Sequence, residues 1–131
     1  MKKSIKIKSF KIFNLKKILI LSLIIVIYGL LMLLPRDWFI KVPGGDNFGH
    51  IYIDCIISIL IFYILRDKNI YFKLVFIFSL TTLTEIAQIL TSRNFSISDI
   101  FYNFIGILVG IAVYYLFNFI LKFKTKKNFK F

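Results

Sequence analysis

Four long apolar runs limit what this chain can fold into. Each holds roughly 17–23 residues, and short polar gaps separate them: residues 18–34, 48–65, 70–90 and 99–121. A helix of that length, rising about 1.5 Å per residue, crosses a hydrocarbon core about 30 Å thick. The chain has 131 residues and is 59% hydrophobic, which is too apolar for a soluble domain of this size. We therefore predict an all-α membrane protein, a bundle of four transmembrane helices.

The charge distribution predicts how this bundle lies in the membrane. Of the 18 Lys and Arg residues, 15 fall in the two terminal segments or between Arg66 and Lys73. The positive-inside rule then places both termini in the cytoplasm of a multi-pass plasma-membrane protein. The predicted parts are a basic cytoplasmic segment (1–17), a four-span domain (18–121) and a basic cytoplasmic tail (122–131). We expect the first segment to lie on an anionic leaflet with little folded structure of its own.

The same distribution argues against several classes of function. A net charge of +12 in a soluble protein would suggest nucleic-acid binding, but here the membrane topology explains the lysines. The chain has one cysteine, Cys55, so it forms no intramolecular disulfide, and it has no Cys/His cluster typical of a metal site. We predict no metal, no cofactor and no nucleic-acid partner.

Three ionisable residues interrupt the apolar runs, and such residues are functional hypotheses by default. They are His50, Asp54 and Glu85. Counting along the helices places them within about 10 Å of the outward end of the bundle, where Asn103 also falls. We predict an outward-facing polar pocket whose binding residues are Asp46, His50, Glu85, Gln88, Arg93, Asp99 and Asn103.

Two glycines follow on the same face of the last run. Asp99, Asn103, Gly106 and Gly110 are spaced i, i+4, i+7 and i+11, which places them on one side of a helix. Glycines four residues apart allow a neighbouring helix to approach closely. We predict that Gly106 and Gly110 are helix-packing positions.

Three blocks of residues together resemble the VanZ-like family of small membrane proteins. They open the second run, close the third, and open the fourth: Asp46-Asn47-Phe48-Gly49-His50, Glu85-x-x-Gln88 followed by Arg93, and Asp99-x-x-x-Asn103-x-x-Gly106-x-x-x-Gly110. The chain departs from the family pattern twice, with Asn47 where lysine is usual and Ile51 where an aromatic residue often follows the histidine. The family is named for a protein linked to teicoplanin resistance in Gram-positive bacteria, so the resemblance implies a role at the cell envelope.

Three functions remain open at this point. The first is binding of a lipid-linked cell-wall precursor or glycopeptide headgroup, with Arg93 meeting a phosphate or carboxylate. The second is an enzyme acting on a polyprenyl-phosphate-type headgroup. Its catalytic candidates are His50 as base or nucleophile, Asp54 or Asp46 as the group that orients His50, and Glu85 as acid. The third is a structural bundle that forms a homo-oligomer or supports a larger complex through its glycine face.

Overall fold

The structure is a computed structural model that describes the backbone of residues 2–33, 43, 45–90 and 96–128. Within these ranges, the side chains of residues 2–14, 46 and 124–128 lie outside the description. The described residues form four helices and no strand. They are α1 (Lys2–Leu33), α2 (Asp46–Ile64), α3 (Ile70–Gln88) and α4 (Ile97–Asn128).

Each helix contains a stretch long and apolar enough to cross a membrane. The stretches are Leu15–Leu33, Asn47–Ile64, Ile70–Gln88 and Ile97–Phe123. Their outer surfaces are strongly apolar, as side chains such as Leu30, 61% exposed, and Phe117, 60% exposed, illustrate. Such a surface suits contact with lipid tails and would be unfavourable in water. The protein is therefore a multi-pass membrane protein with the predicted four-helix fold.

Both long helices extend beyond the predicted spans. Helix α1 begins at Lys2, so the basic N-terminal segment is helical and continuous with the first span, where we expected little folded structure. Helix α4 likewise continues through the basic tail to Asn128. Lysine is a good helix former, so a helix already fixed in the apolar run is readily extended through these segments.

Successive helices run in opposite directions. Lys17 of α1 contacts Asp67 after α2, whereas Tyr28 of α1 contacts Asp54 near the middle of α2. The bundle therefore has two distinct ends. We call the end where α1 and α3 finish and α2 and α4 begin the polar end, and the opposite end, with the α2–α3 turn, the basic end.

The closest helix pair is α2 and α4, which run parallel. A Cβ atom on Gly106 would lie 2.7 Å from the backbone oxygen of Ile51, and one on Gly110 would lie 2.5 Å from that of Cys55. Both glycines are buried, and the two helix backbones meet along them. The glycine face is thus covered by α2 of the same chain, which leaves no room there for a second copy.

An apolar core fills the centre of the bundle. It consists of Tyr28, Met32, Ile57, Ile61, Ile77 and Ile107, contributed by all four helices. Tyr28 and Met32 lie near the polar end of α1, whereas the four isoleucines lie further into the bundle, so the apolar core adjoins the polar side chains described next.

Candidate functional site

A layer of buried polar side chains lies at the polar end of the bundle. Each of its members is at most 7% exposed, and every helix contributes at least one. We call this set the polar layer: Tyr28, His50, Asp54, Ser58, Thr84, Glu85, Gln88, Asp99 and Asn103. Helical spacing explains the grouping, since residues four apart on α2 and on α4 project from the same face.

Asn103 joins three helices in the middle of this layer. Its Nδ2 donates a hydrogen bond of 2.9 Å to Glu85 Oε1, and its Oδ1 lies 2.8 Å from His50 Nδ1. His50 Nδ1 is also 3.5 Å from Glu85 Oε1. Since α2, α3 and α4 each supply one partner, the contact fixes how these three helices are placed relative to one another.

This arrangement determines which nitrogen of His50 is available for chemistry. The Asn103 amide oxygen can only accept a hydrogen bond, so His50 Nδ1 must carry the hydrogen. The other nitrogen, Nε2, is buried and makes no hydrogen bond within the described residues. It lies 3.7 Å from Asp99 Oδ2, close enough for an ion pair when the ring is protonated. Asn103 thereby orients the ring and leaves Nε2 as the nitrogen that can accept, donate or transfer a proton.

A second polar cluster lies deeper, between α1 and α2. The hydroxyl of Tyr28 donates a hydrogen bond of 2.8 Å to Asp54 Oδ1. Asp54 is fully buried, and its Oδ2 makes no hydrogen bond in the part of the chain that the structure describes. Ser58, one turn further along α2, donates to the backbone oxygen of Asp54 over 2.6 Å. The phenol–carboxyl contact of Tyr28 with Asp54 thus binds α1 to the layer.

Gln88 ties the end of α3 to the end of α1. Its Nε2 donates a hydrogen bond of 3.2 Å to the backbone oxygen of Met32. Backbone oxygens in the last turn of a helix have no partner within the helix, so a side-chain donor from a neighbour satisfies one of them. The layer is therefore connected to the last turn of α1.

Five residues predicted to bind at this end lie together in the polar layer: His50, Glu85, Gln88, Asp99 and Asn103. The sixth, Asp46, is the first residue of α2, but its side chain lies outside the described part. Arg93 falls in the segment 91–95 and also lies outside the described residues. The catalytic candidate Asp54 contacts Tyr28, whereas His50 is oriented by Asn103, not by Asp54 as we expected.

Sequence reasoning missed Tyr28, whose hydroxyl is the contribution of α1 to the layer. A signal was present, because Tyr28 carries a polar group inside a largely apolar run and lies five residues before the end of α1. Five residues correspond to about 7–8 Å along a helix, the depth inferred for Glu85. Counting residues from the helix ends for hydroxyl side chains, as was done for ionisable ones, would have placed Tyr28 in the polar layer.

Comparison with known proteins gives a family. The family model described as VanZ/LLP1 matches residues 4–118, which is most of the chain. The chain belongs to the VanZ/LLP1 family. No curated protein and no solved structure matches this VanZ/LLP1 chain.

The match covers the first three membrane-spanning stretches of this VanZ/LLP1 protein, most of the fourth, and the whole polar layer. Within the described residues, no group of three His, Cys, Asp or Glu side chains is spaced to hold a metal ion. The polar layer offers hydrogen bonding, ion pairing and proton transfer by His50, Asp54, Glu85 and Asp99.

Proposed function

We propose that this VanZ/LLP1 protein binds the polar headgroup of a lipid-linked cell-wall precursor or a glycopeptide such as teicoplanin, at the outer face of the plasma membrane. The observation that carries the proposal is His50 Nε2, a buried nitrogen that lacks a hydrogen-bond partner among the described residues. A polar atom left without a partner inside an apolar span is unfavourable, so its natural role is to meet a ligand.

The neighbours of His50 support this proposal. Asp99 lies beside Nε2 and would accept hydrogen bonds from hydroxyl or amine groups of a ligand, while Asn103 and Glu85 hold the ring in place. Arg93, which follows α3 in the sequence, would meet a phosphate or carboxylate of the same headgroup. With both termini in the cytoplasm, the polar end faces the cell envelope, where such molecules occur.

A pair of substitutions tests the role of Nε2. His50→Asn keeps a donor near the position of Nδ1 and removes Nε2, whereas His50→Gln places an amide near the position of Nε2. Binding of teicoplanin and of a polyprenyl-diphosphate-linked sugar to the full-length protein in lipid nanodiscs is measured for each variant. We expect His50→Asn to weaken binding of the true ligand by about tenfold or more, the loss of one strong hydrogen bond. Equal binding by wild type and both variants would exclude a ligand at Nε2.

The fixed orientation of His50 also favours a second candidate, an enzyme acting on a polyprenyl-phosphate-type headgroup. A histidine whose Nδ1 hydrogen is held by an acceptor presents Nε2 as a general base or nucleophile. Asp99 Oδ2, 3.7 Å from Nε2, is the carboxyl on that side of the ring, whereas Glu85 lies beside Nδ1. Incubation of the purified protein with polyprenyl phosphates should then give turnover that is lost in His50→Ala. If the protein binds such substrates without turnover, the enzyme proposal is excluded and the binding proposal stands.

A further inference from the structure

A second candidate site lies at the basic end of the bundle, away from the polar layer. A cavity of about 280 Å³ opens there between α1 and the α2–α3 turn. Its lining combines charged and apolar side chains: Lys17, Ile18, Leu21, Ile64, Leu65, Asp67 and Lys68. Ile18 is 61% exposed and Lys68 is also exposed, so the cavity is reached from the lipid-facing surface.

A second cavity lies on the other side of Lys17. It measures about 150 Å³ and is lined by Lys17, Ile20, Tyr63, Ile64 and Arg66. Lys17 and Ile64 line both cavities, so the two largely apolar recesses share the Lys17 cation. The apolar lining residues of α1, and Ile64 of α2, belong to the membrane-spanning stretches of these helices.

The α2–α3 turn is held in a defined conformation. The Lys68 amide donates to the backbone oxygen of Leu65 over 2.8 Å, and the Asn69 side chain accepts from the Phe72 amide over 2.7 Å as the cap of α3. Asp67 accepts a hydrogen bond from Lys17, which ties the turn to α1. The cavity walls are therefore fixed relative to each other by the cap and the ion pair.

The charge around the cavities is positive. Lys17, Arg66 and Lys68 supply three cations, and Asp67 is the one carboxylate among the residues lining them. Asp67 lies beside Lys17 and 3.8 Å from Arg66 Nε, so a single negative charge is shared by two of the cations. The site therefore keeps an excess of positive charge, which attracts an anion.

We infer that these cavities form a binding site for an anionic phospholipid, with its phosphate near Lys17, Arg66 and Lys68 and its acyl chains in the two recesses. The occupant is a lipid and not a soluble phosphate, because Ile18, Leu21 and Ile64 offer only apolar contact below the charges. Basic pockets between transmembrane helices at a membrane surface are suited to such headgroups. This site goes beyond the proposed function, since it shares no residue with the polar layer.

Native mass spectrometry of the full-length protein with added phosphatidylglycerol or phosphatidylcholine tests this assignment. We expect wild type to retain phosphatidylglycerol in preference to phosphatidylcholine. Arg66→Gln and Lys68→Gln should each lower the apparent affinity for phosphatidylglycerol by about fivefold, as expected for one cation near a headgroup. Lys122→Gln is the matched control, because it removes a lysine of α4 that does not line either cavity.

Two further measurements separate the contributions of charge and of the apolar recesses. Leu21→Trp should fill the larger cavity and reduce retention of phosphatidylglycerol while leaving every charge in place. Competition with soluble glycerol phosphate should be weak, since it lacks acyl chains. Equal retention of the two lipids by wild type, or an equal loss in Lys122→Gln, would overturn the assignment. Full displacement by glycerol phosphate would also overturn it, as the site would then bind a soluble anion.

Discussion

The side-chain amide of Asn103 donates a hydrogen bond of 2.9 Å to Glu85 Oε1 and so joins α4 to α3 inside the apolar bundle. The same amide accepts from His50 on α2. An asparagine can serve both partners because its two ends have opposite hydrogen-bonding character. This one side chain links helix packing to the orientation of the proposed binding residue.

Asn103→Leu should destabilise the protein because it leaves His50 Nδ1 and Glu85 Oε1 buried without this partner. The expected loss in the free energy of unfolding is about 1–3 kcal/mol. Thermal unfolding in detergent measures it. Asn118→Leu is the matched control on the same helix, since among the described residues the Asn118 side chain bonds to the Tyr114 backbone oxygen of its own helix. Equal melting temperatures for the two variants would show that Asn103 does not hold the helices together.

Gly110→Ala should push α2 and α4 apart, because the new Cβ would meet the Cys55 backbone oxygen at 2.5 Å and the Ser58 Cβ at 2.7 Å. Backbone atoms cannot rotate aside, so we expect a loss of about 1–3 kcal/mol in the free energy of unfolding. Gly29→Ala is the control, since no atom of the described part of the chain lies within 4 Å of its Cβ position. It should be neutral or slightly stabilising. A Gly110→Ala protein as stable as Gly29→Ala would contradict the close packing.

Tyr28 and Asp54 should show a direct energetic coupling. A double-mutant cycle with Tyr28→Phe and Asp54→Leu isolates their hydrogen bond, because each change removes one partner, and we expect a coupling on the order of 1 kcal/mol, typical of a bond between membrane helices. Tyr63→Phe removes the same hydroxyl from a side chain that is 63% exposed and should leave stability unchanged. Additive effects of Tyr28→Phe and Asp54→Leu would mean that the contact contributes nothing.

The ion pair at the basic end predicts a dependence of stability on pH. The hydrogen bond from Lys17 holds the pKa of Asp67 below its ordinary value of 3.8, with Arg66 and Lys68 acting in the same direction. A carboxyl whose pKa is lower in the folded state stabilises the protein above its unfolded pKa, and this stabilisation is lost as the pH falls through the folded pKa. The difference in melting temperature between wild type and Asp67→Asn should therefore be constant above about pH 5 and shrink below pH 3.8.

Lys17→Gln provides the control for this pH dependence. It removes the donor that lowers the pKa of Asp67, so the acid-sensitive difference should become much smaller in that background. An unchanged difference would assign the effect to Arg66 and Lys68 instead.

The proposed orientation can be tested by labelling single cysteines in a Cys55→Ala background. With both termini in the cytoplasm, Lys41→Cys should react with a membrane-impermeant maleimide in intact cells, and Lys68→Cys should react only after the cells are permeabilised. The reverse pattern would place the polar layer on the cytoplasmic side and exclude a ligand from the cell envelope.

Much of the fold follows from hydropathy, because a bilayer leaves few alternatives to apolar helices of fixed length. The predicted run 70–90 corresponds to α3, which ends at Gln88, and the predicted run 48–65 corresponds to α2. The helical extensions to Lys2 and Asn128 were not predicted. Hydropathy marks where a chain leaves the apolar part of the membrane, but it does not mark where the helix ends. The shared depth of His50, Glu85 and Asn103 also followed from counting residues along the helices.

The sequence by itself determined the four spans, the basic ends and the depth at which polar side chains lie, because these depend on positions along single helices. Only the tertiary structure decided which side chains meet. The way in which helices rotate and pack determines three contacts: His50 with Asn103, Asp54 with Tyr28, and Gly110 with the backbone of α2. Those rotations are set by contacts between residues far apart in the chain, which no spacing within a single helix specifies.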